Sequence, residues 1–406
     1  MRILRHGRLG IVALVAIGCS GGPPPPYPQW SRARPPSAGG AGSATFAVYK
    51  TAALQAETLG AKYVNRVVFT PGQRKSVQQL LSPAVLAVRQ QTGKPVEFEF
   101  VPRPPFTMAP YQKGWRLIGR CLVWDIQASG PDLDRAITEA SQATSFGFGL
   151  TGGGATDASL GLTIADEARR AILPRLDEMS ADQLDRLASG MQAALFTKPT
   201  LQQAIENEHQ EMLMGVQAVQ DAYVHEDYKQ LRDKLGSDVR DAITYLQDMH
   251  SDDRKKRPVY FEKLAGEADT EAAWLSAACL LPAVKRAPET EPKTTEQRPW
   301  RKFAKQFFRT CRPMLAMNDA TLARTRLLIL NCRIMAIMKR TGSAPQELGE
   351  FPARVRQDPY SGLPFVYRAD GPEFYLYSVG QDFKDDGGQT DETYTTPDLM
   401  LEKAKN

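Results

Sequence analysis

The amino-acid sequence predicts a mainly α protein, with stacked helical hairpins followed by a small α+β module made of one long helix and a short antiparallel sheet. Three observations predict it. From about residue 46 to 318 apolar residues recur at spacings of three and four. Glycine, proline and capping residues interrupt that pattern at helix-length intervals. Near the carboxy terminus the pattern changes to short aromatic and β-branched runs joined by an Asp-Gly turn.

The first residues are a separate matter. Arg2, Arg5 and Arg8 precede an apolar run from Leu9 to Ile17 that stops at Gly18-Cys19-Ser20. That run spans roughly 14 Å as a helix, about half a bilayer core, so it reads as an export signal and not as an ordinary anchor. Small residues before the cleavage point and a cysteine just after it resemble the bacterial lipobox, with Ala16 where leucine is usual. The resemblance implies acylation of the Cys19 thiol and attachment to a membrane. Cleavage nearer Gly22, with Cys19 incidental, is the alternative. Residues 19–44, rich in Pro, Gly, Ser and Ala, have too little apolar surface to offset ordering and read as a disordered tether.

The formal net charge is +5, and without the three signal arginines 48 basic side chains face 46 acidic ones. That balance carries no nucleic-acid footprint. Arg254-Lys255-Lys256-Arg257, between two aspartates and a proline, reads as a solvated connection. Besides Cys19 the chain has Cys121, Cys279, Cys311 and Cys332. An oxidising compartment permits disulfides, but the spacing selects no pairing, and buried free thiols fit the apolar helical surroundings equally well.

In the helical domain, 45–318, Leu133, Ala136, Ile137 and Ala140 form one stripe. Leu184, Leu187, Ala188, Met191, Ala194 and Leu195 form a second, preceded by a Ser180–Gln183 capping box. Leu201, Ile205, Met212, Val216, Val219 and Tyr223 trace a third on a longer helix. Gly147, Gly149 and Gly152-Gly153-Gly154 fall between two helical patterns and read as a flexible hinge. A phosphate cradle would need a lysine closing the loop, where the chain has Ala155-Thr156-Asp157. Ala283 to Pro299 reads as an exposed loop inside the domain or a soft boundary, and Trp300, Phe303, Phe307 and Phe308 as a return to packed helix.

Glu206-x-x-His209 places a carboxylate and an imidazole on one helix face, but a di-iron bundle wants two such motifs, and His209 keeps step with Ile205 and Met212 as a satisfied core histidine does. His225 and His250 stand in charged surroundings without a motif. The chain has no His-Glu-x-x-His and no Gly-x-Ser-x-Gly. The expectation is a protein without catalytic residues.

The carboxy-terminal module, 319–398, begins with a helix whose Leu327, Leu330, Ile334 and Ile337 share a face, with Arg324, Arg333 and Arg340 free to face water. Gly342 suits its cap and Pro345 cannot continue it. Then come Asp358-Pro359-Tyr360-Ser361-Gly362, the strand Phe365-Val366-Tyr367-Arg368, a turn at Asp370-Gly371-Pro372, and Phe374-Tyr375-Leu376-Tyr377-Ser378-Val379-Gly380. Residues 399–406 form a tail.

That order of helix, Asp-Pro-aromatic turn, two aromatic strands and acidic glycine loop resembles the globular part of the major pseudopilin of type II secretion. The whole arrangement is similar to uncharacterised families of bacterial exported helical lipoproteins. The pseudopilin resemblance implies calcium in the loop after the last strand, with Asp382 as the best-matched ligand, Asp386 and Asp391 as further acids, and the backbone carbonyl of Val379. The residues agree in chemistry: Asp382, Asp385, Asp386, Asp391 and Glu392, interleaved with Gly387-Gly388, supply hard oxygens on a pliable backbone. A pseudopilin polymerises through an amino-terminal membrane helix, whereas this helix is internal, starts near Ala320 and carries arginines, so filament assembly by that route is not expected.

The expected function is that of a membrane-anchored cell-envelope lipoprotein acting through non-catalytic protein contacts, a scaffold linked by analogy to a secretion apparatus. Ser20 after the lipidated cysteine implies the outer membrane, facing the periplasm. The alternative is an exported hydrolase or ligand-binding protein whose site is dispersed over the helical domain.

Overall fold

The structure, a computed structural model, describes residues 42–99, 109–224, 257–286, 308–371, 373–389 and 398–401. Cys19, His225, His250, Lys255, Trp300, Phe303, Asp391 and Glu392 lie outside these residues. The chain is mainly helical, with a two-stranded antiparallel sheet near the carboxy terminus.

Local chemistry explains where each helix starts. Helix α1 (Ala44–Leu59) opens where Ser43 Oγ accepts the Phe46 amide at 3.2 Å, and the Ser43 amide donates to the Glu97 carbonyl at 3.0 Å. The expected tether therefore ends sooner, since Ser43 and Ala44 already belong to the folded body. Helix α2 (Pro71–Arg89) has a Thr70–Gln73 capping box and proline at its first turn. After α3 (Gln112–Gln127), Asp132 caps α4 (Leu133–Gly149) by accepting the Arg135 amide at 2.9 Å. Helix α5 (Ala155–Ile172) is followed by α6 (Ala181–Thr197), which has the Ser180–Gln183 box read from the sequence. Helices α7 (Leu201–Val224) and α8 (Arg257–Ala278) pack on each other.

The core is built around α4, which packs on α3, α5 and α6. Trp115 of α3 is wholly buried, and its indole N–H donates to the Tyr49 carbonyl at 3.0 Å. Its ring stands 4.3 Å from Tyr111 and 5.9 Å from Phe98, centroid to centroid. Such pairs contribute about 1 kcal/mol each beyond the area they bury. Arg89 of α2 reaches Asp125 of α3 at 2.6 Å and also pairs with Glu139 of α4, so three helices share one ionic knot.

The glycines between α4 and α5 are not a hinge. Gly147 and Gly149 lie within α4, and Gly152–Gly154 are buried. None of the five has positive φ. A Cβ on Gly161 would stand 2.2 Å from the Gly147 carbonyl oxygen, and one on Gly147 would stand 2.6 Å from that of Gly161. The glycines let two helix backbones touch, which periodicity cannot reveal because it registers side chains.

Helix α9 (Cys311–Thr341) starts well before Ala320 and runs unbroken through the boundary expected at 318/319. It packs on α5 and α6, and Leu327, Leu328, Ile329 and Leu330 are all fully buried, so its middle is apolar on every side. Burial of each such side chain stabilises by about 2 kcal/mol. Arg324, Arg333 and Arg340 meet carboxylates, and Arg340 stays exposed to water while doing so. Arg340 reaches Asp182 and Asp185 of α6, each at 2.6 Å; Arg333 lies 3.6 Å from Asp185, and Arg324 3.9 Å from Asp166 of α5. Burial pushes the Asp166 carboxyl up, but Arg169, Arg324 and Arg170 outweigh it and hold its pKa below the usual value. Long stems can cross an apolar rim to reach these charges.

Gly342 closes α9 with φ of 81° and donates to the Met338 carbonyl at 2.8 Å. The short α10 (Ala353–Arg356) leads into strands β1 (Val366–Asp370) and β2 (Glu373–Tyr377), paired antiparallel with Val366 opposite Tyr377 and Asp370 opposite Glu373. Gly371 at the turn has φ of 59°, which suits glycine.

Candidate functional site

Asp358 organises the module that follows α9. It is buried in the Asp-Pro-Tyr turn. Its Oδ1 accepts the Tyr360 amide at 2.9 Å, and its Oδ2 accepts the Ser378 hydroxyl at 2.9 Å and the Val379 amide at 3.2 Å. Burial raises its pKa, and these hydrogen bonds oppose the shift. Ser378 then pairs with Leu399 through two backbone bonds of 2.9 Å. One carboxylate thus ties the turn before β1 to the exit of β2, where the acidic loop begins.

In that loop the candidate calcium ligands are close in sequence but differently engaged. Asp382 is exposed, and its Oδ1 accepts the Lys384 amide at 3.2 Å. Asp385 Oδ1 accepts the Tyr377 hydroxyl at 2.8 Å and the Gly387 amide at 3.0 Å. Asp386 is half-buried and offers its amide, not its carboxylate, to Asp398. The Val379 carbonyl takes no hydrogen bond among the described residues, whereas the amide of the same residue is held by Asp358. Among the described residues no three acids, histidines or cysteines converge as an ion's ligands.

The residue that sequence reasoning missed is Asp398. It is fully buried, and its Oδ2 gathers the amides of Asp386 at 3.1 Å and Gly388 at 2.8 Å. Burial raises its pKa, and Asp385 and Asp386 add to the shift. Its Oδ1 has no hydrogen-bond partner among the described residues. Asp398 stands alone before Leu399-Met400, outside the acidic cluster, so no spacing marked it.

Beneath the module lies a second polar layer that no motif announced. Arg286 spreads its guanidinium over Asp319 of α9 at 2.5 and 2.8 Å and donates to the Ala278 carbonyl at 2.9 Å. The loop expected to be solvated from Ala283 is therefore fastened at its start, with the Ala283 and Val284 amides bonded to the Pro359 and Tyr360 carbonyls. Arg326 donates to the Gln357 carbonyl at 2.6 Å. Burial pushes Lys198 down to about 8, and its amine donates to the Pro199 carbonyl at 3.2 Å. Cys121, Cys279, Cys311 and Cys332 are all free, and burial raises the pKa of each thiol.

His209 is a satisfied histidine. Its Nε2 lies 2.9 Å from Asp269 of α8 and its Nδ1 3.9 Å from Glu206. Burial disfavours its charge, but bonds to Glu206 and Asp269 outweigh that and raise its pKa above the usual histidine value. The start of α5 is likewise filled from within: the Gly154 amide donates to Asp157 at 3.2 Å and the Ala155 amide to Glu208 at 2.7 Å. Carboxylates of the chain occupy the donors that a phosphate would use.

Comparison with known protein families, curated proteins and solved structures gives no match.

Proposed function

We propose that this chain is a lipid-anchored protein of the cell envelope, held at Cys19 in the outer membrane facing the periplasm, that acts by contacts with other envelope proteins beside a secretion apparatus. The geometry that carries the contact reading is the α1–α2 hairpin. Val67 and Val68 are 80% and 79% exposed, and Leu54, Leu59, Leu80 and Leu86 of the same hairpin are exposed as well. Exposed large apolar side chains on one hairpin supply the surface that association would cover. Among the described residues no helix is long and apolar enough to cross a membrane, so attachment in this reading rests on acylation.

The carboxy-terminal loop serves in this reading as a calcium-stabilised element. By chemistry alone the donors suit a hard cation: carboxylates of Asp382 and Asp386, the Val379 carbonyl, the buried Oδ1 of Asp398, and Asp391 outside the described residues. The ion would supply charge neutralisation among these acids.

Intact-mass measurement of the mature protein tests the anchor, with fatty chains on Cys19 expected and an unmodified terminus fatal to the reading. Crosslinking in intact cells tests the contact: a Val67→Asp/Val68→Asp variant should lose the adduct that the unaltered chain forms. Added calcium should raise the melting temperature, and Asp382→Asn/Asp386→Asn should abolish that rise.

A further inference from the structure

The face between α3 and α5 carries chemistry that the proposed function does not use. Arg116 and Arg120 are four apart on α3, and Thr156, Ser159, Thr163 and Glu167 recur at three and four along α5, so each set lies on one helix face. Gly119 lets the helices approach: a Cβ there would stand 2.5 Å from Ile164 Cδ1. Beside that contact the surface opens into a cleft of about 360 Å³, lined by these polar residues together with Gln112 and the apolar Leu160 and Ile164.

The two guanidiniums differ in how they are held. Arg120 donates to the Arg66 carbonyl at 2.6 Å, and its guanidinium lies 5.3 Å from the centre of the Phe69 ring. Arg116 is exposed and makes no hydrogen bond or ion pair among the described residues. Both line the cleft; burial, then the charge of Arg116, lowers the Arg120 pKa, and Glu167 opposes the shift. Glu167 is the counter-charge at this cleft; burial raises its pKa, and Arg120 draws it back. The hydroxyls of Thr156 and Ser159 have no hydrogen-bond partner among the described residues, while that of Thr163 is spent on the Ser159 carbonyl. Two cations against one carboxylate, beside two unengaged hydroxyls, is a receptor for an anion.

We propose that this cleft binds a small organic acid through its carboxylate or phosphate group, the oxyanion gripped by Arg116 and Arg120 with the Thr156 and Ser159 hydroxyls, and the carbon skeleton seated on Leu160 and Ile164. The volume is near the lower end of small-molecule sites, roughly 300–1,000 Å³, which restricts the ligand to a compact molecule.

Calorimetric titration of the whole chain in detergent, with succinate and with inorganic phosphate as probes, tests the site and separates the two head groups. Saturable binding of at least one probe below about 10 mM is expected. Arg116→Gln should weaken it by about tenfold or more, since it removes a charge-assisted contact while breaking no bond of the fold. Glu167→Gln removes the competing anion and should tighten it several-fold. Absence of saturable heat with both probes overturns the proposal, and so does equal affinity in Arg116→Gln and the unaltered chain.

Discussion

The carboxylate of Asp358 accepts the hydroxyl hydrogen of Ser378 at 2.9 Å, joining residues 20 positions apart. The same carboxylate holds the amides of Tyr360 and Val379, so a single buried side chain fixes both flanks of the hairpin. Asp358→Ala would strand these donors and should cost about 3 kcal/mol. Chemical denaturation measures the loss, and faster hydrogen exchange at the Val379 amide locates it. Unchanged exchange there would show that the turn is held by something else.

Arg286 and Asp319 make a buried ion pair whose carboxylate is raised in pKa by burial and drawn back by the guanidinium. Arg286→Met leaves that carboxylate buried without its partner and should cost about 3 kcal/mol. Arg286→Met/Asp319→Leu removes both charges and should recover most of the loss. If the double variant is as unstable as the single one, stem packing rather than charge accounts for the effect.

Two glycines in helices should respond to alanine with opposite signs. Gly161 has the Gly147 carbonyl oxygen 2.2 Å from where a Cβ would stand, so Gly161→Ala must part α4 from α5, at a cost of several kcal/mol. Gly266 in α8 has nothing within 4 Å, so Gly266→Ala should stabilise by roughly 0.5–1 kcal/mol through helix propensity. Paired melting curves decide both.

His209 gives the α7–α8 pair a pH dependence of definite sign. Its folded pKa is raised, so its contribution is fully present below the unfolded value of about 6.5 and fades as pH rises through the folded value. Asp269 is 43% exposed, which keeps the effect to roughly 0.5 kcal/mol. Melting temperatures on either side of that range should differ more for the unaltered chain than for His209→Gln. Identical pH profiles would show that the imidazole does not contribute.

Much of this fold was legible residue by residue. The Ser180–Gln183 cap, the buried stripe of α6, the buried Leu201, Ile205, Met212 and Val216 of α7 (the side chains of Val219 and Tyr223 lie outside the description), the Gly342 terminus and the Asp-Gly hairpin all depend on interactions within a few positions, so spacing and residue type announce them. The candidate loop was legible only as a cluster of acids. Asp398, which gathers two amides of that loop, stands apart from it in sequence.

The amino-acid order by itself determined the helices, their caps and the turn of the sheet, because each is settled by hydrogen bonds and side-chain entropy over one or two turns of chain. Tertiary structure alone decided that the α4–α5 glycines serve backbone contact, that Arg324, Arg333 and Arg340 of α9 lie against carboxylates of α5 and α6, and that Arg116 and Arg120 share a cleft with α5. Those outcomes depend on which helix lies against which, set by total apolar burial across distant segments, and no local spacing encodes that sum.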